Sequence, residues 1–142
     1  MNIHDFMTAY KRVWLDQDSA GFADLFTRDG TYHNTPFQVQ TGRDALITYW
    51  DRIQLQNDIR MKVAVLAETE NGGIGHWWVD YQVASEELFD IWAKSTGTGM
   101  PDREPGDPLP RLTLDGTLIA EFGPDGRARD VRIFWHSQAY MP

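Results

Sequence analysis

The hydrophobic period of this chain changes once, near Ile59, and that change limits what it can fold into. Before it, Ile3, Phe6, Tyr10, Val13 and Trp14 recur at the spacing of one helical stripe. After it, Ile59, Met61, Val63 and Val65 alternate with Arg60, Lys62 and Ala64, the period of a half-buried strand. Striped helices and one-faced strands must bury their apolar sides against each other. The pattern therefore predicts an α+β domain, with helices against one face of a mainly antiparallel sheet.

Turn and cap residues divide the chain further. Asp18 or Ser19 can cap a short second helix carrying Phe22, Leu25 and Phe26, which Asp29-Gly30 then breaks. Thr31 to Thr35 reads as a strand. A third helix is expected from near Thr41, with Asp44 three residues on and Leu46, Tyr49, Trp50 and Ile53 on one side. Asn71-Gly72 is a strong hairpin signal, leading to a strand over 74–84. A second hairpin is read at Gly123-Pro124-Asp125-Gly126, between strands over 112–122 and 128–137. Residues 86–110 hold four of the seven prolines, three glycines and many charges after an apolar patch at Leu88, Phe89, Ile91 and Trp92. A connection of that length in a compact domain is expected to be a lid or a surface insertion, and the patch favours a lid that docks. Gly97 and Gly99 resemble a fragment of a phosphate loop, but without a preceding strand or a following long helix they carry no such reading.

A length of 142 residues suits one domain, 1–142, with the insertion at about 86–110. Six Trp, five Tyr and seven Phe are enough to line a core or an apolar pocket. Thirteen basic against 21 acidic residues, with no basic cluster, argue against a nucleic-acid partner. Cysteine is absent, which removes thiolate chemistry, and no 18-residue apolar stretch or signal-like start is present. The expectation is a soluble, cytoplasmic protein without a membrane partner. His33, His76 and His136 fall on three strands without a ligand spacing, so no metal site is expected.

Three stretches, DLFTRDGTYHNTPF, GRDALITYW and EFGPDGRARDVRIFW, together with the element order, resemble the SnoaL-like, nuclear-transport-factor-2-like superfamily. The resemblance implies a cone-shaped α+β barrel, a cystatin-like roll in which three N-terminal helices pack on a curved, mainly antiparallel sheet. It also implies an interior ligand pocket and a homodimer through the outer face of the sheet. TYHNTP resembles the Tyr-x-Asn-x-Pro of limonene-epoxide hydrolases, which makes Tyr32 and Asn34 a water-holding pair on one face of a strand, with His33 on the other. That family's water-activating Asp falls at Ile133, and its Arg and Asp pair falls near Trp78 and Asp80, where only the Asp is matched. Among steroid isomerases, Tyr10 matches the oxyanion tyrosine, Trp50 a supporting tyrosine and Trp135 a ligand contact. Asn34 and Leu118 stand at the base and carboxylic-acid positions, where neither can move a proton.

Asp80 is the one carboxylate on a candidate pocket face, so it is the candidate base, with Tyr32 and Asn34 as partners. Two registers are open. If Trp77, Val79 and Tyr81 are the inner set, Asp80 points outward with His76, Trp78 and Gln82; if the even set is inner, Asp80 meets the pocket. Tyr10, Trp14, Tyr49, Trp50, Trp77, Leu118 and Trp135 are the candidate substrate contacts. Two functions fit. One is a cofactor-independent enzyme performing isomerisation, hydration or cyclisation on a small apolar or aromatic molecule. The other is a binding module on the same scaffold.

Overall fold

A computed structural model describes residues 1–96 and 101–141; the Gly97 and Gly99 reading lies outside the described residues. Helix α1 spans Ile3–Leu15, and its stripe of Ile3, Phe6, Met7, Tyr10, Val13 and Trp14 is buried. Asn2 caps it by accepting from the Asp5 backbone N–H at 2.9 Å. Helix α2, Ser19–Asp24, is capped by Asp18 rather than Ser19, through the Gly21 N–H. Strand β1 runs over Phe26–Thr35, so Asp29-Gly30 sits inside a strand and does not end the helix. Phe26 and the three residues Thr31–His33 are bonded to the last strand, with a register shift between them that absorbs the Asp-Gly step.

Helix α3 is Arg43–Trp50, shorter than expected at both ends. Thr41 closes a four-residue strand, β2 (Gln38–Thr41), which the sequence reading did not separate from the helix. The N-cap is Gly42, at φ 84° and with no side-chain cap bond, a backbone conformation that glycine adopts without strain. Ile53 falls instead in a 3₁₀ turn, Asp51–Leu55. Four long strands follow: β3 (Gln56–Thr69), β4 (Gly72–Val83), β5 (Arg111–Phe122) and β6 (Ala128–Tyr140). The sheet order is β2-β1-β6-β5-β4-β3, antiparallel throughout except for the parallel β1–β6 pair.

Within the expected 86–110 insertion lies a helix, α4 (Glu86–Ser95), which has every local signal a helix start needs. Ser85 accepts from the Leu88 N–H, Glu86 and Glu87 occupy the first turn and Lys94 the last. Leu88, Phe89 and Trp92 form its buried side. Leu109 and Pro110 lie at the end of β4. Gln82 donates to the Leu109 and Pro110 carbonyls at 3.0 Å each.

From Gly73 onward burial along β4 alternates, and Trp77, Val79 and Tyr81 are 0–3% exposed. The odd set is therefore the inner one. Asp80 lies on the outer face, opposite Arg60 and Thr113 and ion-paired with Arg111. The physical reason is period two: one register buries an indole, a valine and a phenol, whereas the other would bury an aspartate and expose all three.

Candidate functional site

The inner face of the sheet and the first three helices do not meet completely. They leave a cavity of about 60 Å³, closed on one side by α4. Helix α1 contributes Trp14, β1 contributes Tyr32 and Asn34, and α3 with the 3₁₀ turn contributes Tyr49, Trp50, Arg52 and Ile53. From the sheet come Gln56, Trp77, Tyr81, Leu114, Ile133 and Trp135; from α4 come Leu88, Ile91, Trp92 and Ser95. The aromatic side chains of this wall pack on one another and on Phe22 behind them. Phe22 stacks on Trp50 with centroids 3.8 Å apart and planes 5° from parallel, and Trp14 bridges Trp50 and Trp77 at 5.3 Å each.

Period two brings Tyr32 and Asn34 to the same wall, and turns His33 away onto Asp130 at 3.0 Å. The Tyr32 hydroxyl lies 2.7 Å from that of Tyr10, which stands one layer behind and does not line the cavity. Asn34 is held from three sides. Its amide donates to Gln38 at 2.8 Å, its side-chain oxygen accepts from Gln40 at 3.3 Å, and its backbone carbonyl accepts from the Trp135 indole at 2.8 Å. Leu118 is fully buried but stands outside the cavity wall. Asp80, on the far face of the sheet, cannot reach Tyr32 or Asn34, so the catalytic trio does not assemble.

Two polar residues that sequence reasoning did not single out complete the site. Gln56 is buried and accepts from the Trp14 indole at 2.8 Å. Arg52 lays its guanidinium 4.0 Å over the Tyr49 ring, and its Nε donates to the Tyr49 carbonyl at 3.1 Å. The segment that carries Arg52 is pinned by Gln17, whose amide donates to the Ile53 and Gln56 carbonyls at 2.7 and 2.9 Å. Neither residue belongs to a motif. Only the close of a helix at Trp50, one turn earlier than the apolar pattern suggests, would have pointed to Arg52.

Among the described residues, the cavity wall contains no carboxylate and no imidazole. Burial raises the Tyr32, Tyr49 and Tyr81 hydroxyls above the ordinary phenol range, and Tyr10 behind them likewise. All four stay protonated near neutral pH and act as hydrogen-bond donors or acceptors, not bases. Trp77 carries the one buried side-chain donor without a partner among the described residues.

The wall on the α4 side is clasped from both ends. The Trp92 indole donates to Ser137 on β6 at 2.7 Å, and the Thr96 hydroxyl lies 2.7 Å from the same oxygen. At the other end Glu86 receives the Arg103 guanidinium in a two-point contact, 2.7 Å at its longer arm. The Arg103 side chain is 2% exposed and lies 4.8 Å over the Phe89 ring.

The SnoaL-like domain family matches residues 7–132 of the sequence. No curated protein matches it. Three solved structures share the fold at low identity. SalBIII, an epoxide hydrolase/cyclase-like enzyme in pyran ring formation in the polyether salinomycin, is 13% identical, with a TM-score of 0.65 over 96% of this chain and 95% of that one. A ketosteroid isomerase-like protein from Catenulispora acidiphila, in complex with trimethylamine, is 12% identical, with a TM-score of 0.60 over 91% and 83%. A steroid delta-isomerase from Pseudomonas aeruginosa is 14% identical, with a TM-score of 0.56 over 95% and 80%.

Proposed function

The chain belongs to the SnoaL-like domain family, and from that premise we propose that it binds a small, largely apolar molecule between the sheet and α4 without a base of its own. The observation that carries this reading is the cavity wall: aromatic rings, neutral donors and one guanidinium, with no carboxylate or imidazole among the described residues. A general base must lie within hydrogen-bond reach of the proton it removes, and none does. Tyr32, Tyr49 and Trp77 orient the polar end of the ligand, while Trp14, Trp50 and Trp135 pack its body. At about 60 Å³ the cavity is far smaller than the roughly 300–1,000 Å³ of sites for drug-sized ligands. Entry of anything beyond a few heavy atoms therefore requires α4 to move outward, the lid role expected of residues 86–110. Several indoles line the cavity, so ligand titration followed by tryptophan fluorescence is the direct test. Recovery of the bound molecule unchanged after long incubation supports the binding reading, and chemical conversion overturns it.

A second reading, an enzyme, is favoured by one observation, the buried Tyr10–Tyr32 pair at 2.7 Å. Two coupled phenols in a dry site can polarise a carbonyl or ether oxygen, which suffices where the attacking group belongs to the substrate, as in ring closure. SalBIII, the epoxide hydrolase/cyclase-like relative, makes that class of reaction the natural one to assay. Turnover lost in Tyr32→Phe but kept in Asp80→Asn would establish it.

We further propose a cytoplasmic homodimer, cofactor-free in either reading. Support comes from the outer face of the sheet, where Ile119 and Phe134 are 40% and 45% exposed on neighbouring strands. No helix among the described residues is long and apolar enough to cross a membrane.

A further inference from the structure

Arg52 is the one charged side chain among the described residues of the cavity wall. It is half-buried, and it forms no ion pair with a described residue, in a chain whose acidic residues outnumber its basic ones by 21 to 13. By contrast, Arg43, Arg103, Arg111, Arg129 and Arg132 each meet a carboxylate. Its Nε is satisfied by the Tyr49 carbonyl and its face by the Tyr49 ring, which fixes the plane of the fork and leaves the terminal amino groups without an acceptor among the described residues. The positive charge reaches the hydroxyls of Tyr32, Tyr49 and Tyr81, opposing the effect of burial at each, so it acts on the interior and not only on solvent. A guanidinium held in one plane beside aromatic walls, with its fork toward the cavity wall, is a ready partner for an anionic group.

We propose that Arg52 is the anion-recognising group of this cavity and that the ligand is a flat aromatic carboxylic acid, its carboxylate on the guanidinium fork and its ring among the indoles. The proposal rests on the pocket reading above and names its ligand class. A planar fork matches a carboxylate in two parallel hydrogen bonds. A phosphate dianion would need a second cation to offset its desolvation, and the wall holds one. A quaternary ammonium, which an aromatic box alone would attract, is repelled by Arg52.

The test uses the full chain and calorimetric titration at low salt with benzoate, its neutral isostere benzamide, and tetramethylammonium. The expected result is benzoate binding about tenfold or more tighter than benzamide, as for a hydrogen bond to a charged group. In Arg52→Gln that preference collapses while benzamide binding persists, and Arg52→Lys retains part of it because the charge stays and the fork is lost. The wild-type comparison needs no variant, so a misfolded substitution leaves the proposal open to refutation. Benzamide binding as tightly as benzoate, or tetramethylammonium binding more tightly than both, overturns the Arg52 assignment and leaves the pocket standing. If none of the three binds, the pocket reading itself fails, and this inference with it.

Discussion

Gly116 lies against Trp77, the residue that forms the floor of the cavity. A Cβ built there would come 2.3 Å from the indole ring, and the ring has no room to retreat from a fully buried position. Gly116→Ala is therefore expected to destabilise the fold by about 1–3 kcal/mol, the usual cost of overpacking, measured as a lower urea midpoint at unchanged slope. The Tyr10–Tyr32 pair makes a different demand. Removing one hydroxyl strands the other in a buried site, at a cost of about 1–3 kcal/mol, whereas removing both leaves no orphan. A double-mutant cycle of Tyr10→Phe and Tyr32→Phe is expected to show the double variant well short of the sum of the singles. Strict additivity would mean that the hydroxyls are not coupled. At this scale the sequence was legible wherever parity decided the matter. Tyr32 and Asn34 share a face because they are two apart on a strand, and the same rule sends Asp80 away from Trp77 and Tyr81. It was not legible for Arg52, because a guanidinium facing inward from a short 3₁₀ turn follows no repeat.

Among the elements, α4 is both a wall of the cavity and the part held by polar clasps. Glu86 owes most to the Arg103 side chain and next to the Gly106 N–H, which together pull its carboxyl down from 4.5 to about 2. The sign follows directly. A depressed folded-state value means that the clasp contributes fully above pH about 4.5 and is lost as pH falls toward 2. Because Glu86 stands in solvent, the effect on global stability is small and screened by salt, so the place to look is α4 itself. Hydrogen exchange of the α4 amides, corrected for intrinsic rates, is expected to accelerate between pH 5 and pH 3 by roughly severalfold relative to α1. In Glu86→Gln that pH dependence disappears; equal behaviour of α1 and α4 in the parent protein would contradict the assignment. Period made α1 and the long strands readable in advance, whereas α4, with its Ser85 cap, was read only as an apolar patch inside the 86–110 insertion. The short pieces were not readable: β2 and the 3₁₀ turn have too few residues to display a period, and Thr41, a good cap by type, was taken up by a strand.

The whole molecule presents two faces of one sheet with opposite characters. Its inner face is aromatic and closed by helices; its outer face mixes polar contacts such as the His76–Asp115 hydrogen bond and the Arg111–Asp80 ion pair with exposed apolar residues. If the outer face is the proposed dimer interface, light scattering at micromolar concentration is expected to give twice the mass of one 16.3 kDa chain, and Phe134→Glu to give the monomer with ligand binding retained. A monomeric parent protein would remove the dimer and leave the cavity reading untouched. The sequence by itself determined the α+β class, the hairpins and which residues of each long strand share a face, because period and turn chemistry are local; which of the two faces of β4 is the inner one came from the packed structure. Only the tertiary structure decided that Asp80 has no route to Tyr32, that α4 closes the wall, and that Arg52 points inward with no carboxylate to meet it. Those are relations between elements far apart in the chain. They follow from how packed surfaces fit and where charge is left over, which no local pattern records.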